Sequence, residues 1–206
     1  MLASRLVHVI DDDDALRDSL RFLLTSAKFD VETYESATAF LAAMPQIKGG
    51  CIITDVRMPG LSGIELLRRL KTLSIDLPVI IMTGHGNVAL AVDAMKVGAI
   101  EFIEKPFDDV VLLKAVRVAL DRYGKEMKKD TEKAQVRERL HSLSQREREV
   151  LEGLLAGHPN KIIASDLKIS PRTVEIYRAH VMTKMEADSL SELVRMSLAA
   201  GLFDKA

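Results

Sequence analysis

"CIITDVRMPGLSGIELLRRL", residues 51–70, holds one complete strand-to-helix unit. Cys51–Thr54 is a short apolar run that stops on Asp55. "MPGLSG" then supplies one proline and two glycines, the composition of a loop. From Gly63 onward, "GIELLRRLKTL" repeats its apolar residues at helical spacing, the mark of an amphipathic helix. The same alternation recurs on both sides. Apolar runs stand at Leu6–Ile10, Val31–Tyr34, Val79–Met82 and Ile100–Ile103, and amphipathic stretches at 14–26, 36–44, 86–97 and 107–122. Five strands alternating with five helices predict a parallel sheet covered on both faces. Right-handed crossovers make a doubly wound α/β fold the natural solution.

Composition bounds the rest. The chain has 206 residues, 48% of them apolar, enough for one large or two small domains. Its 29 Lys and Arg nearly balance 30 Asp and Glu, so whole-chain charge names no partner. A single cysteine, Cys51, excludes an internal disulfide framework and fits a reducing cytosol; lying in an apolar run, it reads as an inert buried thiol. No secretory leader or membrane-spanning stretch is expected, which predicts a soluble cytoplasmic protein. The domain reading is 1–123, then a solvated helical linker over 124–141 that is rich in charges of both signs, then 142–206. The last region has no strand pattern and predicts four short helices at 144–156, 160–168, 170–185 and 188–201.

Open parallel sheets bind ligands beyond the carboxyl ends of their strands, where strand order reverses. There the first run delivers Asp11 and Asp12, the third Asp55, the fourth Thr83, and the fifth is followed by Lys105. With strand order 2-1-3-4-5, the reversal falls between the two strands that supply the carboxylates. Three carboxylates and an ammonium suit a divalent cation, and hard oxygen donors suit Mg²⁺. Such a metal can neutralise phosphoryl transfer onto an oxygen nucleophile. Asp55 is the candidate nucleophile, since an aspartate can form an aspartyl-phosphate. Lys105 and the Thr83 hydroxyl would hold phosphate oxygens. Asp13 and Asp14 read as a helix cap and an acidic first turn.

"VIDDDD", "TDVRMPGLSG", "MTGHG" and "FIEKPF" stand in the order in which the receiver domains of two-component response regulators carry them, and residues 5–122 resemble that family. The resemblance implies a flavodoxin-like fold with phospho-acceptor Asp55. It implies Mg²⁺ held by Asp12, Asp55 and the Arg57 carbonyl, with Asp11 reaching the metal through water. Thr83 and Lys105 match the two phosphate-binding positions. Phe102 matches a switch position where many members carry Tyr; with Phe, only packing can report the switch. Gly84 and Gly86 in "GHGN" would let the neighbouring loop reshape. The expected result of switching is an altered face over the fourth helix, fifth strand and fifth helix, of the kind that pairs two receivers about a two-fold axis.

In the C-terminal region, "NKIIASDLKISPRTVEIYRAHVMTKM" (160–185) predicts two helices joined by a tight turn at Lys168–Ser170. Asn160 would cap the first. Ser170 would cap the second, with Pro171 at its first position. Val174, Val181 and Met185 should face the core. With "LSQREREVL" and "RTVEIY", the region resembles a LuxR-type helix-turn-helix, and the whole chain resembles FixJ-type transcriptional regulators. That resemblance implies Glu175, Ile176 and Ala179 at base edges and Lys161, Arg172, Thr173, Arg178 and Lys184 on phosphates. Residues 142–206 carry nine basic and nine acidic groups, but 160–184 carry five against two. A modest phosphate contribution means weak binding by one copy and favours two on a palindrome. Leu190, Leu193, Val194 and Leu198 would form either a pairing face or an internal stripe.

The function expected is a response regulator and transcription factor. It would take phosphoryl from a sensor histidine kinase, dimerise when phosphorylated, bind promoter DNA, engage RNA polymerase and activate transcription, in the family's setting of nitrogen-fixation genes. It would be no enzyme beyond its own phosphorylation and dephosphorylation. The alternatives are a signalling adaptor whose helical domain binds protein, and an Asp-nucleophile phosphohydrolase. The latter generally needs a second acid or base near the nucleophile, and Val56, Arg57 and Met58 offer none.

Overall fold

The structure, a computed structural model, describes residues 5–84 and 88–201. The chain divides into two compact units, Met1–Glu126 and Met127–Ala206.

The first unit runs β1 (Leu6–Ile10), α1 (Asp14–Ser26), β2 (Asp30–Tyr34), α2 (Ala37–Ala43), β3 (Cys51–Asp55), α3 (Gly63–Thr72), β4 (Val79–Thr83), α4 (Val88–Val97) and β5 (Glu101–Glu104), and continues into α5 (Asp109–Ser142). The strands pair in parallel in the order β2-β1-β3-β4-β5. The chain is thus the α/β doubly wound sheet that the alternation predicts, in the flavodoxin-like strand order that the resemblance implies, followed by a helical C-terminal unit.

The pleat explains why the central strands read as continuous apolar runs. Val7, Val9, Cys51, Ile53, Ile80 and Met82 pack on one face with Leu20 and Leu24 of α1 and Leu112 and Val116 of α5. Ile10, Ile52, Val79 and Ile81 pack on the other with Phe40, Ile64, Leu67 and Leu70. Successive residues point to opposite faces and both faces are covered, so every residue of β3 and β4 is buried. Cys51 is fully buried, and burial pushes its thiol up to about 12. Asp13 caps α1 by accepting from the Ala15 and Leu16 amides, and Asp14 pairs with Arg17 in the first turn, as the aspartate run predicts.

Helix α5 does not stop near 122. It runs without a break through the stretch read as linker. Lys, Glu, Gln and Arg are good helix formers, and i,i+4 pairs such as Arg122–Glu126 and Lys128–Glu132 support the exposed turns. Its last turns are not simply solvated, because Val136 and Leu140 are buried in the core of the second unit.

The second unit adds α6 (Gln145–Leu155), α7 (Asn160–Leu167), α8 (Pro171–Met185) and α9 (Leu190–Ala199). Ser144 and Glu147 form a capping box at the start of α6. Asn160 does not cap α7: it is the first helical residue, behind Pro159, which offers no side-chain acceptor. Lys168 ends α7 in the left-handed conformation, at φ 55°. Ser170 Oγ accepts from the Thr173 amide at 3.0 Å, and Pro171 opens α8. Val174, Val181 and Met185 are buried around Val150, Leu151 and Leu193. Among the described residues, no helix is long and apolar enough to cross a membrane.

Candidate functional site

The sheet brings Asp11, Asp55 and Lys105 together at the carboxyl ends of β1, β3 and β5. Lys105 Nζ donates to Asp55 Oδ1 at 2.5 Å and to Asp11 Oδ2 at 3.0 Å. The other carboxylate oxygens are held by the backbone: Asp55 Oδ2 accepts from the Arg57 amide at 2.6 Å, and Asp11 Oδ1 from the Asp13 amide at 3.0 Å. Both carboxylates are buried, Asp11 at 2% exposure and Asp55 at 6%. Burial by itself would push the Lys105 ammonium down, but the hydrogen bonds and charges of Asp55 and Asp11 outweigh it, and its pKa stands above the ordinary lysine value.

Thr83 ends β4 and is buried, and its carbonyl accepts from the Lys105 amide at 2.8 Å, which ties the β5 loop to the rim. The Lys105–Pro106 bond is cis. Phe102, half-buried, lies opposite Ile81 on β4 and packs with the α2–α3 face of the core. His85, Gly86 and Asn87 of the adjoining loop lie outside the described residues, so only Gly84 of the two loop glycines is seen. Gly63 fixes the return of the chain below Asp55. Its amide donates to the Val56 carbonyl, and a Cβ there would overlap the Asp55 carbonyl oxygen.

Asp12 is not drawn into the cluster; it is exposed, as is Arg57. Among the described residues, no three Asp, Glu, His or Cys side chains are grouped as a metal would need. The ammonium holds the place between the two buried carboxylates. The donors are all hard oxygens, however, and two buried carboxylates against one ammonium leave a negative charge uncompensated. In donor chemistry and charge the residues fit Mg²⁺, with Asp12 next in sequence to Asp11 and Arg57 two residues after Asp55.

On the second unit, Lys161, Arg172, Glu175, Ile176 and Ala179 are exposed, and Thr173 and Arg178 are half-buried. The Thr173 hydroxyl is shared with Ser170 Oγ at 2.8 Å. Lys184 differs from the other cations: its Nζ donates to Glu147 Oε2 at 2.7 Å and to the Ser142 carbonyl at 3.3 Å. Glu147 is 4% exposed, and its carboxyl is lowered to about 2, first by the Lys184 hydrogen bond and then, against the effect of burial, by Ser144. Sequence reading did not single out Glu147; the Ser-x-x-Glu spacing was its only signal. On α9, Leu193 is buried and Val194 half-buried, while Leu190 and Leu198 are exposed, so the stripe is divided between core and surface.

Two family profiles match the chain: the response regulator receiver domain over residues 7–117, and the bacterial regulatory proteins of the luxR family over 141–197. The transcriptional regulatory protein FixJ of Azorhizobium caulinodans is 57% identical over 196 residues, 95% of this chain and 93% of that protein. The protein of the same name from Bradyrhizobium diazoefficiens is 53% identical, covering 96% and 97%. The crystal structure of full-length FixJ from B. japonicum, 53% identical, covers 96% of this chain and 98% of its own at a TM-score of 0.60.

Proposed function

The chain belongs to the two-component response regulators, with a receiver domain followed by a LuxR-type DNA-binding domain as in the FixJ proteins, and from that premise we propose that Asp55 stores a phosphoryl group whose charge controls promoter binding. The family is one of transcription regulators, not of catalytic enzymes, and it implies a kinase and DNA as partners. The observation that carries the proposal is the convergence of Lys105 on Asp55 and Asp11.

Receiver domains generally use Mg²⁺ for phosphorylation, and here Asp11, Asp12, Asp55 and the Arg57 carbonyl would hold it, supplying charge neutralisation to the transferring group. A carboxylate oxygen of Asp55 forms the new bond to phosphorus as the bond to the kinase histidine breaks, and the freed imidazole takes its proton from solvent. The Arg57 amide orients the carboxylate. Lys105, already on Asp55, can follow the new charge onto a phosphate oxygen, and the Thr83 hydroxyl can donate to another. Phe102 then reports the change through packing alone. Donor turnover ends on the protein, since Val56, Arg57 and Met58 supply no second acid or base.

The proposed readout is a dimer. Val88, Val92 and Met95 share one side of α4 by helical spacing and are exposed, an apolar stripe suited to pairing two phosphorylated receivers. The paired second units would bind a palindromic promoter through α8, with Glu175, Ile176 and Ala179 at base edges, Lys161, Arg172, Thr173 and Arg178 on phosphates, and RNA polymerase recruited alongside. The site of action would be the cytoplasm, and the likeness to FixJ proposes nitrogen-fixation genes as targets. The test is to incubate the chain with acetyl phosphate and Mg²⁺ and record intact mass. Gain of one phosphoryl group by the wild type and none by Asp55→Asn is expected; equal labelling of the variant contradicts the assignment.

A further inference from the structure

Outside the rim pocket, Glu147 is the only buried carboxylate among the described residues. Its Oε2 accepts from Lys184 Nζ and from the Ser144 amide, each at 2.7 Å, and its Oε1 lies 3.7 Å from His180 Nδ1. His180 and Lys184 stand one turn apart on α8. A helix cap alone needs only Ser144 and Glu147. The arrangement therefore does something more: it ties the C-terminal half of α8 to the first turn of α6.

Moving Lys184 onto a DNA phosphate would leave a buried carboxylate without its cation, which is costly. The base-facing residues lie elsewhere on the same helix, with Glu175 about 14 Å along the axis from Lys184 at the ordinary helical rise. We infer that Glu147 and Lys184 are positioning residues for DNA reading: their ion pair, with its carboxylate buried and its ammonium partly exposed, fixes the roll and depth of α8, and Lys184 is not one of the phosphate contacts. The inference rests on the proposal that α8 reads DNA. It takes Lys184, engaged by Glu147 though exposed, out of the set of DNA-contacting cations, leaving Lys161, Arg172 and Arg178 to carry the phosphate contribution of this segment.

The two roles separate by salt dependence. A phosphate contact contributes about 0.9 to the slope of log K against log salt, whereas a positioning pair contributes nothing to it. The experiment uses the full chain as wild type, Glu147→Gln, Lys184→Met and the double variant, with helix content checked for each. The probes are a duplex selected by the wild type from random sequence and an unselected random duplex, over a range of salt.

Each single variant is expected to bind the selected duplex roughly tenfold more weakly, with the double variant no worse than the weaker single, as for two members of one interaction. Affinity for the random duplex and the salt slope should stay at wild-type values. A slope lower by about one in Lys184→Met, with Glu147→Gln unaffected, overturns the inference. Should a single variant fail to fold, the double variant, which has no unpaired buried charge, decides alone: selective loss at constant slope supports positioning, and a lower slope or an equal loss on both duplexes overturns it. A wild type that selects no duplex removes the DNA-binding reading and this inference together, an outcome distinct from failure of the pair's role alone.

Discussion

At Lys105, burial and neighbouring charge pull in opposite directions, and charge wins. Because the folded pKa lies above the ordinary 10.5, the contribution of this ammonium to stability is fully present below pH 10.5 and is lost as pH rises through the folded value. Lys105 therefore stays charged across the neutral range, as the proposed phosphoryl transfer requires. Replacing it with Met leaves Asp11 and Asp55 side by side without a cation, and the initial rate of labelling by acetyl phosphate should fall roughly a hundredfold, the cost of removing one preorganised donor. Glu147 shows the opposite sign. Its folded pKa of about 2 lies below the ordinary 4.5, so its contribution is present above pH 4.5 and is lost as pH falls toward 2. Hydrogen exchange of the α8 amides in the full chain should accelerate over that window in the wild type, and Glu147→Gln should lack this acid step. The three buried acids were not equally legible in sequence. Asp11 and Asp55 stand out because each ends an apolar run, so the strand itself announces where the carboxylate goes. Glu147 sits in a charge-rich stretch where a Ser-x-x-Glu spacing predicts only an exposed cap. Its burial comes from α8 folding over it, a tertiary event that local spacing does not encode. Asp12 is the converse case, conspicuous in sequence yet exposed beside the cluster.

The strand–helix unit at 51–70 works because its turn is tight. Gly63 lets α3 start directly beneath the Asp55 carbonyl, and Ser62 and Glu65 cap it reciprocally. Gly63→Ala should push the β3–α3 junction apart and cost about 1–3 kcal/mol, the usual penalty of overpacking, measurable by denaturant unfolding. Labelling of Asp55 should fall with it, since the Arg57 amide that orients the carboxylate belongs to the same turn. β3 and β4 were readable as continuous apolar runs because both sheet faces are buried, and α3 by its 3.6-residue period because one helix face is. The end of α5 was not. Charges of both signs mark it as a solvated helical linker, and only the burial of Val136 and Leu140 shows that the last turns belong to a core.

At the scale of the whole molecule, two compact units of different architecture lie on one chain, one the receiver domain and the other the LuxR-type helix-turn-helix. On the proposed function, the message passes through assembly. Val92→Glu places a charge in the exposed stripe of α4 without touching the rim. Sedimentation after acetyl phosphate treatment should show wild type as a dimer and this variant as a monomer with undiminished mass gain; loss of labelling as well would mean that the stripe serves the pocket, not the pairing. The most direct test of the central claim is equilibrium binding of a selected promoter duplex with and without acetyl phosphate and Mg²⁺, run on wild type and Asp55→Asn side by side. Binding that tightens on phosphorylation in the wild type and stays constant in Asp55→Asn is the predicted result. Equal tightening in both, or none in a wild type whose mass shows the added phosphoryl group, would contradict it.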